Sequence, residues 1–264
     1  MKLFDSHCHL DDRSYQGDLE AVIQRAKQNG IEKMMTVGVD LKTSVRAIEI
    51  AEKFDGVYAS VGVHPHRASS CSDRVMKRLA DLAGNPRACA WGETGLDFNR
   101  MYSPKEDQEK WFVRQIQAAD EKRLPLILHE RDSHGRLLEI LKKHPNENRR
   151  GVVHCFSGNR SELGDYLDLG YYIGITGILT LQERGIDLRN LVEYVPLERL
   201  LIETDAPYLT PAPQKNQSRR NEPAFVKSVL LKLAEIRDMD PENLADVTCN
   251  NARRLFGVTN ALLR

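Results

Sequence analysis

MKLFDSHCHLDD, residues 1–12, opens with a short apolar run at Leu3-Phe4 and closes on His7-Cys8-His9. Side chains two residues apart on an extended strand share a face, so the two imidazoles converge. A strand with paired histidines at its exit suits a metal site at one end of a barrel or sheet. Such a site needs further ligands at the ends of later strands.

Outward from this stretch the chain alternates. Residues 18–29 carry Leu19, Val22, Ile23 and Ala26 at helical spacing, with Gly30 as a C-terminal stop, and a β-rich run follows at 33–39. Helix 43–54 then precedes strand 57–63, and helix 72–83 precedes strand 88–94. Ser103, with Pro104 at the first helical position and Glu106 three residues on, predicts a capping box opening a helix to about residue 122. Strand 125–129, helix 133–143, strand 151–155, helix 160–169, strand 171–175, helix 185–194 and strand 200–204 complete the series.

Some eight strands, each followed by a helix or helix-like segment, are the pattern of a closed parallel (β/α)8 barrel. An open doubly wound sheet shows the same alternation and is the alternative. Residues 222–237 and 241–256, the latter capped by Asp240, predict two extra C-terminal helices. The length of 264 residues is close to the roughly 250 of one such barrel. With no repeat or break in composition, one domain over 1–264 is expected. The one long loop-like stretch is TPAPQKNQSRRN, residues 210–221.

Lysine plus arginine and aspartate plus glutamate balance at 38 each, which excludes a global positive field for gathering nucleic acid. A polyanion would have to be held locally, by metal ions or a few arginines. The five cysteines are scattered and form no Cys-x-x-Cys pair, which suggests reduced thiols rather than a disulfide frame. The N-terminal residues are polar where a secretory leader is apolar, and no apolar run approaches the roughly 18 residues of a membrane span. A cytoplasmic protein without membrane contact is expected.

Functional groups of such barrels gather at the C-terminal ends of the strands. Those positions hold His7 and His9, then His64, Glu93, His129 and His154, and finally Glu203 with Asp205. Five of the eight histidines therefore fall at or beside predicted strand exits. A lone histidine there is more often a hydrogen-bonded residue than a ligand, but a shared rim changes the reading. Imidazoles with carboxylates suit Zn²⁺, Mn²⁺ or Mg²⁺, and four histidines with two carboxylates suffice for two ions if one carboxylate bridges. Two ions about 3.5–4 Å apart activate water and hold a phosphoryl oxygen.

His64 would overfill the site and is assigned to substrate. His66 reads as a solvated loop residue, and Glu203 as a group orienting a ligand from behind. Arg131 and the Arg219-Arg220 pair are candidate phosphate contacts. Cys8, Cys155 and Trp91 should point away from the site into packing.

The segments DSHCHLD, GVHPH, GETGLDF, HERD, GVVHCFSG, GYYIGITG, LLIETDAPYL and SRRNEPAF together resemble, in order and spacing, the TatD family of metal-dependent hydrolases. The resemblance implies an amidohydrolase-like TIM barrel and a divalent-metal-dependent deoxyribonuclease that trims DNA from 3′ to 5′. It further implies that His7, His9, Glu93 and Asp205 hold one cation. Glu93, His129 and His154 would hold the second, with Glu93 bridging and Asp205 orienting or deprotonating the attacking water. The expected partner is DNA, single-stranded or at 3′ ends, and the expected state is a monomer. A second reading is metal-dependent ester or amide hydrolysis, such as D-aminoacyl-tRNA deacylation, which needs no arginine seat for phosphate. A third is a structural metal site in a binding protein, which the open mixed His/carboxylate set disfavours.

Overall fold

The computed structural model describes residues 1–258; the expected domain's last residues, 259–264, lie outside the described residues. Strands β1 Leu3–Cys8, β2 Ile31–Val37, β3 Val57–Val61, β4 Ala88–Asp97, β5 Leu126–Arg131, β6 Gly151–Val153, β7 Tyr172–Ile175 and β8 Leu200–Ile202 pair in parallel and in sequence order. Between them run helices α1 Leu19–Gln28, α2 Leu41–Lys53, α3 Asp73–Leu82, α4 Lys105–Lys122, α5 Arg136–Lys143, α6 Arg160–Asp168 and α7 Ile186–Val192. After β8 come α8 Val226–Ile236 and α9 Pro241–Phe256.

The cylinder is closed by the segment after β8 rather than by β8 itself. Asp205 N–H donates to His7 O at 2.9 Å and His9 N–H to Ala206 O at 2.7 Å. The open doubly wound alternative is thereby set aside. This seam also fixes the first and last candidate ligands side by side.

Two apolar layers follow from strand alternation. One lies between strands and helices and includes Leu3, Met34, Val61, Trp91 and Leu128. The other fills the barrel with Phe4, Met35, Val37, Ala90, Ile127, Val152, Tyr172 and Leu201, against which Ala252, Leu255 and Phe256 of α9 pack. The Phe4 and Phe256 rings stand 5.8 Å apart. Helix α9 thus plugs the end where β1 begins, and the polar ends of the strands are left at the opposite mouth.

Several local expectations shift. The Ser103 capping box does not form: α4 starts at Lys105 after Pro104, and Ser103 Oγ accepts instead from Ser69 N–H at 3.0 Å. Gln108 Nε2 ties Ser103 O at 2.8 Å, so the residue is held by tertiary contacts. Helix α5 begins three residues later than predicted, after Gly135 in the left-handed region at φ 81°. Strand β4 runs on past Thr94 to Asp97, and β6 stops at Val153, before His154.

Candidate metal centre

His7 and Asp5 lie on one face of β1, and His9 follows just beyond the strand. His9 Nδ1–H donates to Val37 O at 3.1 Å, which turns its Nε2 toward His7 Nε2 at 3.3 Å. Both imidazoles therefore aim at one point. Asp205 Oδ1 stands 3.4 Å from His9 Nε2, 3.7 Å from His7 Nε2 and 3.8 Å from His154 Nε2. Asp205 has φ 57°, a left-handed conformation that aspartate adopts more readily than most residues.

Glu93 occupies the centre. Its Oε2 lies 3.6 Å from His7 Nε2 and 3.9 Å from His9 Nε2. Its Oε1 lies 2.8 Å from His129 Nδ1, 3.5 Å from His64 Nε2 and 3.9 Å from His154 Nε2. What puts a carboxylate here is the glycine on either side of Glu93-Thr94. At Gly92, φ 152°, a Cβ would meet Ile127 O at 2.6 Å, and at Gly95, φ 145°, it would strike His129 O. Strand β4 presses so closely on β5 that only glycine fits, and the register shifts between Trp91 and Thr94.

Glu203, just past β8, stands behind His154. Its Oε1 is 2.8 Å from His154 Nδ1 and accepts from Cys155 N–H at 2.6 Å, while Ser6 Oγ–H donates to Oε2 at 3.2 Å. This contact turns His154 Nε2 toward the cluster, and the ring stacks on His7 at 3.5 Å between centroids.

The electrostatics separate the imidazoles. Burial drives His7 down, with the neighbouring His154 adding to it, and drives His64 down to about 4. Both are neutral near pH 7. Burial also opposes charge on His9 and His129. Asp205 overcomes it for His9, and Asp97 with Glu93 for His129, so each rises to about 9. Burial would raise the two central carboxyls, but His64 and His129 hold Glu93 well below its ordinary value and His9 with His154 lower Asp205. Two ionised carboxylates inside a ring of imidazoles are a donor set for divalent cations. Three groups hold their donor atoms within 4.8 Å of one another: His7, His154, Asp205; His7, His9, Glu93; and His64, Glu93, His129.

The structure therefore brings His7, His9, Glu93, His129, His154 and Asp205 into one pocket. His154 Nε2 lies near both Glu93 Oε1, at 3.9 Å, and Asp205 Oδ1, at 3.8 Å. His64, expected to contact substrate, has its Nε2 3.5 Å from Glu93 Oε1. His66 is no solvated loop residue, because its Nε2 lies 2.6 Å from Asp97 Oδ2. Arg220 is not free for phosphate; it pairs with Asp18 at 2.7 Å and Glu222 at 3.0 Å. Arg219 is exposed, and Arg131 lies half-buried at the end of β5, paired in register with Asp97.

Cys8 and Trp91 are buried as expected, but Cys155 lies beyond the end of β6 at φ 48°, half-exposed, where strand alternation no longer governs it. Two buried acids were missed. Asp97 Oδ2 lies 3.2 Å from His129 Nε2, and Asp5 contacts the Thr204 hydroxyl at 2.6 Å. The signal for Asp97 was present, since Glu93, Gly95 and Asp97 alternate on one face once the strand is carried through the glycines.

The family described as TatD related DNase matches residues 4–257. A relative from Klebsiella pneumoniae named 3′-5′ ssDNA/RNA exonuclease TatD is 41% identical, over 97% of this chain and 98% of its own length. A Bacillus subtilis relative, named uncharacterized metal-dependent hydrolase YabD, is 38% identical over 97% of this chain and 99% of its own. Among solved structures, the TatD homologue YJJV from Escherichia coli K12 superposes with a TM-score of 0.90 at 33% identity, covering 97% of this chain and 98% of that one.

Proposed function

The chain belongs to the TatD family of related DNases, and from that premise we propose that it hydrolyses phosphodiester bonds at the 3′ end of single-stranded DNA with two divalent cations. The observation that carries this reading is Glu93, whose two oxygens face two different imidazole groups. Such a carboxylate is suited to bridge two cations. His7, His9, Glu93 and Asp205 would hold one, and Glu93, His129 and His154 the other, with His64 beside them. Mg²⁺, Mn²⁺ or Zn²⁺ bound there supplies an activated water and a polarised phosphoryl oxygen.

The chain's own groups supply the rest. Asp205 Oδ1, ionised and at the mouth, accepts the proton of the attacking water. His154, held by Glu203, keeps the face of the pocket aligned. Arg131 and Arg219 meet the charge of the departing and flanking phosphates. All the proposed donors come from one barrel, in keeping with a single domain that acts as a monomer. Five cysteines without a disulfide suit the reducing cytoplasm. Among the described residues no helix is long and apolar enough to cross a membrane.

The test is release of mononucleotides from a 3′-labelled single strand with Mg²⁺ or Mn²⁺. Glu93→Ala should lower kcat on the order of 10³-fold. Intact DNA with every metal, or a Glu93→Ala variant as active as wild type, rejects the proposal. An activity on carbonyl esters that survives Arg131→Ala and Arg219→Ala would favour the ester or amide reading instead.

A further inference from the structure

Large apolar side chains are seldom left open beside a polar catalytic mouth, yet two tyrosines stand there. Tyr208 follows β8 three residues after Asp205 and is 53% exposed. Its ring meets His9 edge-on at 5.8 Å, and its hydroxyl donates to Asp12 Oδ2 at 3.2 Å. Asn221 Nδ2 ties its carbonyl at 2.6 Å. Backbone, ring edge and hydroxyl are thus all fixed while the remaining ring surface faces solvent. Tyr102, in the loop between β4 and α4, is 65% exposed and meets His66 edge-on at 4.8 Å. His66 in turn holds Asp97, which backs His129. One tyrosine therefore flanks the His9/Asp205 side of the pocket and the other flanks the His129 side.

Resting on the nuclease reading above, we propose that Tyr208 and Tyr102 are stacking platforms for the unpaired bases on either side of the scissile phosphate, and that they make the enzyme select single-stranded ends. A phosphate seated at Glu93 leaves its two nucleosides directed toward these two flanks. Every base offers a flat face whatever its sequence, so stacking gives affinity without sequence preference, as a trimming enzyme needs. In a duplex the penultimate base is stacked on both faces and the terminal base on one, so the two platforms cannot both be used. The overall neutral charge fits this division, because the grip on the strand comes from base faces and a few local contacts rather than from a broad positive field.

The experiment compares single-stranded oligonucleotides that are normal, abasic at the 3′-terminal nucleotide, or abasic at the penultimate one. Tyr208→Ala and Tyr102→Ala should each raise KM about tenfold on the normal strand, with kcat changed far less, and the phenylalanine variants should restore KM. Wild type should lose about as much on an abasic strand. The two alanine variants should divide the effect: one becomes insensitive to the terminal abasic position, the other to the penultimate. An RNA arm should behave alike, since a ring reads the base face and not the sugar.

Metal-free binding adds a spectroscopic readout: 2-aminopurine at the terminal position should be quenched by wild type and not by the insensitive variant. If wild type trims the strand but both alanine variants keep its KM, or suffer the same penalty on every abasic strand as wild type, the stacking proposal fails alone. If wild type trims no strand at all, the nuclease reading fails and takes the stacking with it.

Discussion

Asp5 lies two residues before His7 on the same strand face, wholly buried. Burial pushes its carboxyl up to about 8; Thr204 pulls it back through N–H at 2.9 Å and hydroxyl at 2.6 Å, and the negative Glu203 adds to the rise. The folded value stands above the ordinary 3.8, so between about pH 4 and 8 the folded protein keeps a proton that the unfolded chain has released. Stability from this group is therefore lost as pH rises through that window. Asp5→Asn keeps the shape and cannot ionise. Urea unfolding of the chelated protein should show the variant gaining on wild type from pH 5 to 8, by up to about 1.4 kcal/mol per pH unit. A difference that stays flat would mean that Asp5 is ionised throughout. Sequence reading found His7, His9 and Glu93 because alternation and strand exits mark them. Asp5 and Asp97 are not marked in this way, because Asp5 lies inside β1 and Asp97 lies past two glycines that resemble a turn.

At the scale of elements, the glycines of the strands set how closely the catalytic layers approach. Gly174 of β7 is the clearest case. A Cβ there would stand 2.6 Å from both carboxylate oxygens of Glu203. That carboxylate cannot swing aside without losing His154, the Cys155 N–H and Ser6 together. Gly174→Ala should therefore act at a distance, displacing Glu203 and freeing the His154 ring. Metal affinity measured by calorimetry should fall about 10–100-fold, the usual cost of losing the partner behind a ligating histidine, with a folded far-UV spectrum retained. Unchanged affinity would show that His154 is oriented by its stacking on His7 alone. None of this was legible in GYYIGITG, because a strand glycine announces a close approach without saying what approaches. The same holds for α9, whose apolar face was predicted but whose role in plugging the barrel follows only from where Phe256 meets Phe4.

At the scale of the whole molecule, eight apolar runs alternating with amphipathic segments made eight parallel strands with their helices legible, a pattern that an open sheet shares. Closure was not, since the seam is made by Asp205 and Ala206 in a loop rather than by an apolar strand. That seam ties the two ends of the described cylinder to each other through the candidate metal donors. Metal binding and global stability should consequently be linked. The chelated protein holds ionised Glu93 and Asp205 beside crowded imidazoles, and a cation bound only by the folded state stabilises it by RT ln(1 + [M]/Kd). At one hundred times Kd this is about 2.7 kcal/mol per site, which for a protein of this size raises Tm by roughly 5–10 °C. Adding Mn²⁺ or Mg²⁺ to the chelated protein should produce that rise in a thermal melt, and excess EDTA should reverse it. Glu93→Ala should lose most of the rise because it serves both donor groups, whereas Tyr208→Ala should keep it. A melt indifferent to every divalent cation, or a Glu93→Ala variant that responds like wild type, would show that these imidazoles and carboxylates meet for some purpose other than holding metal.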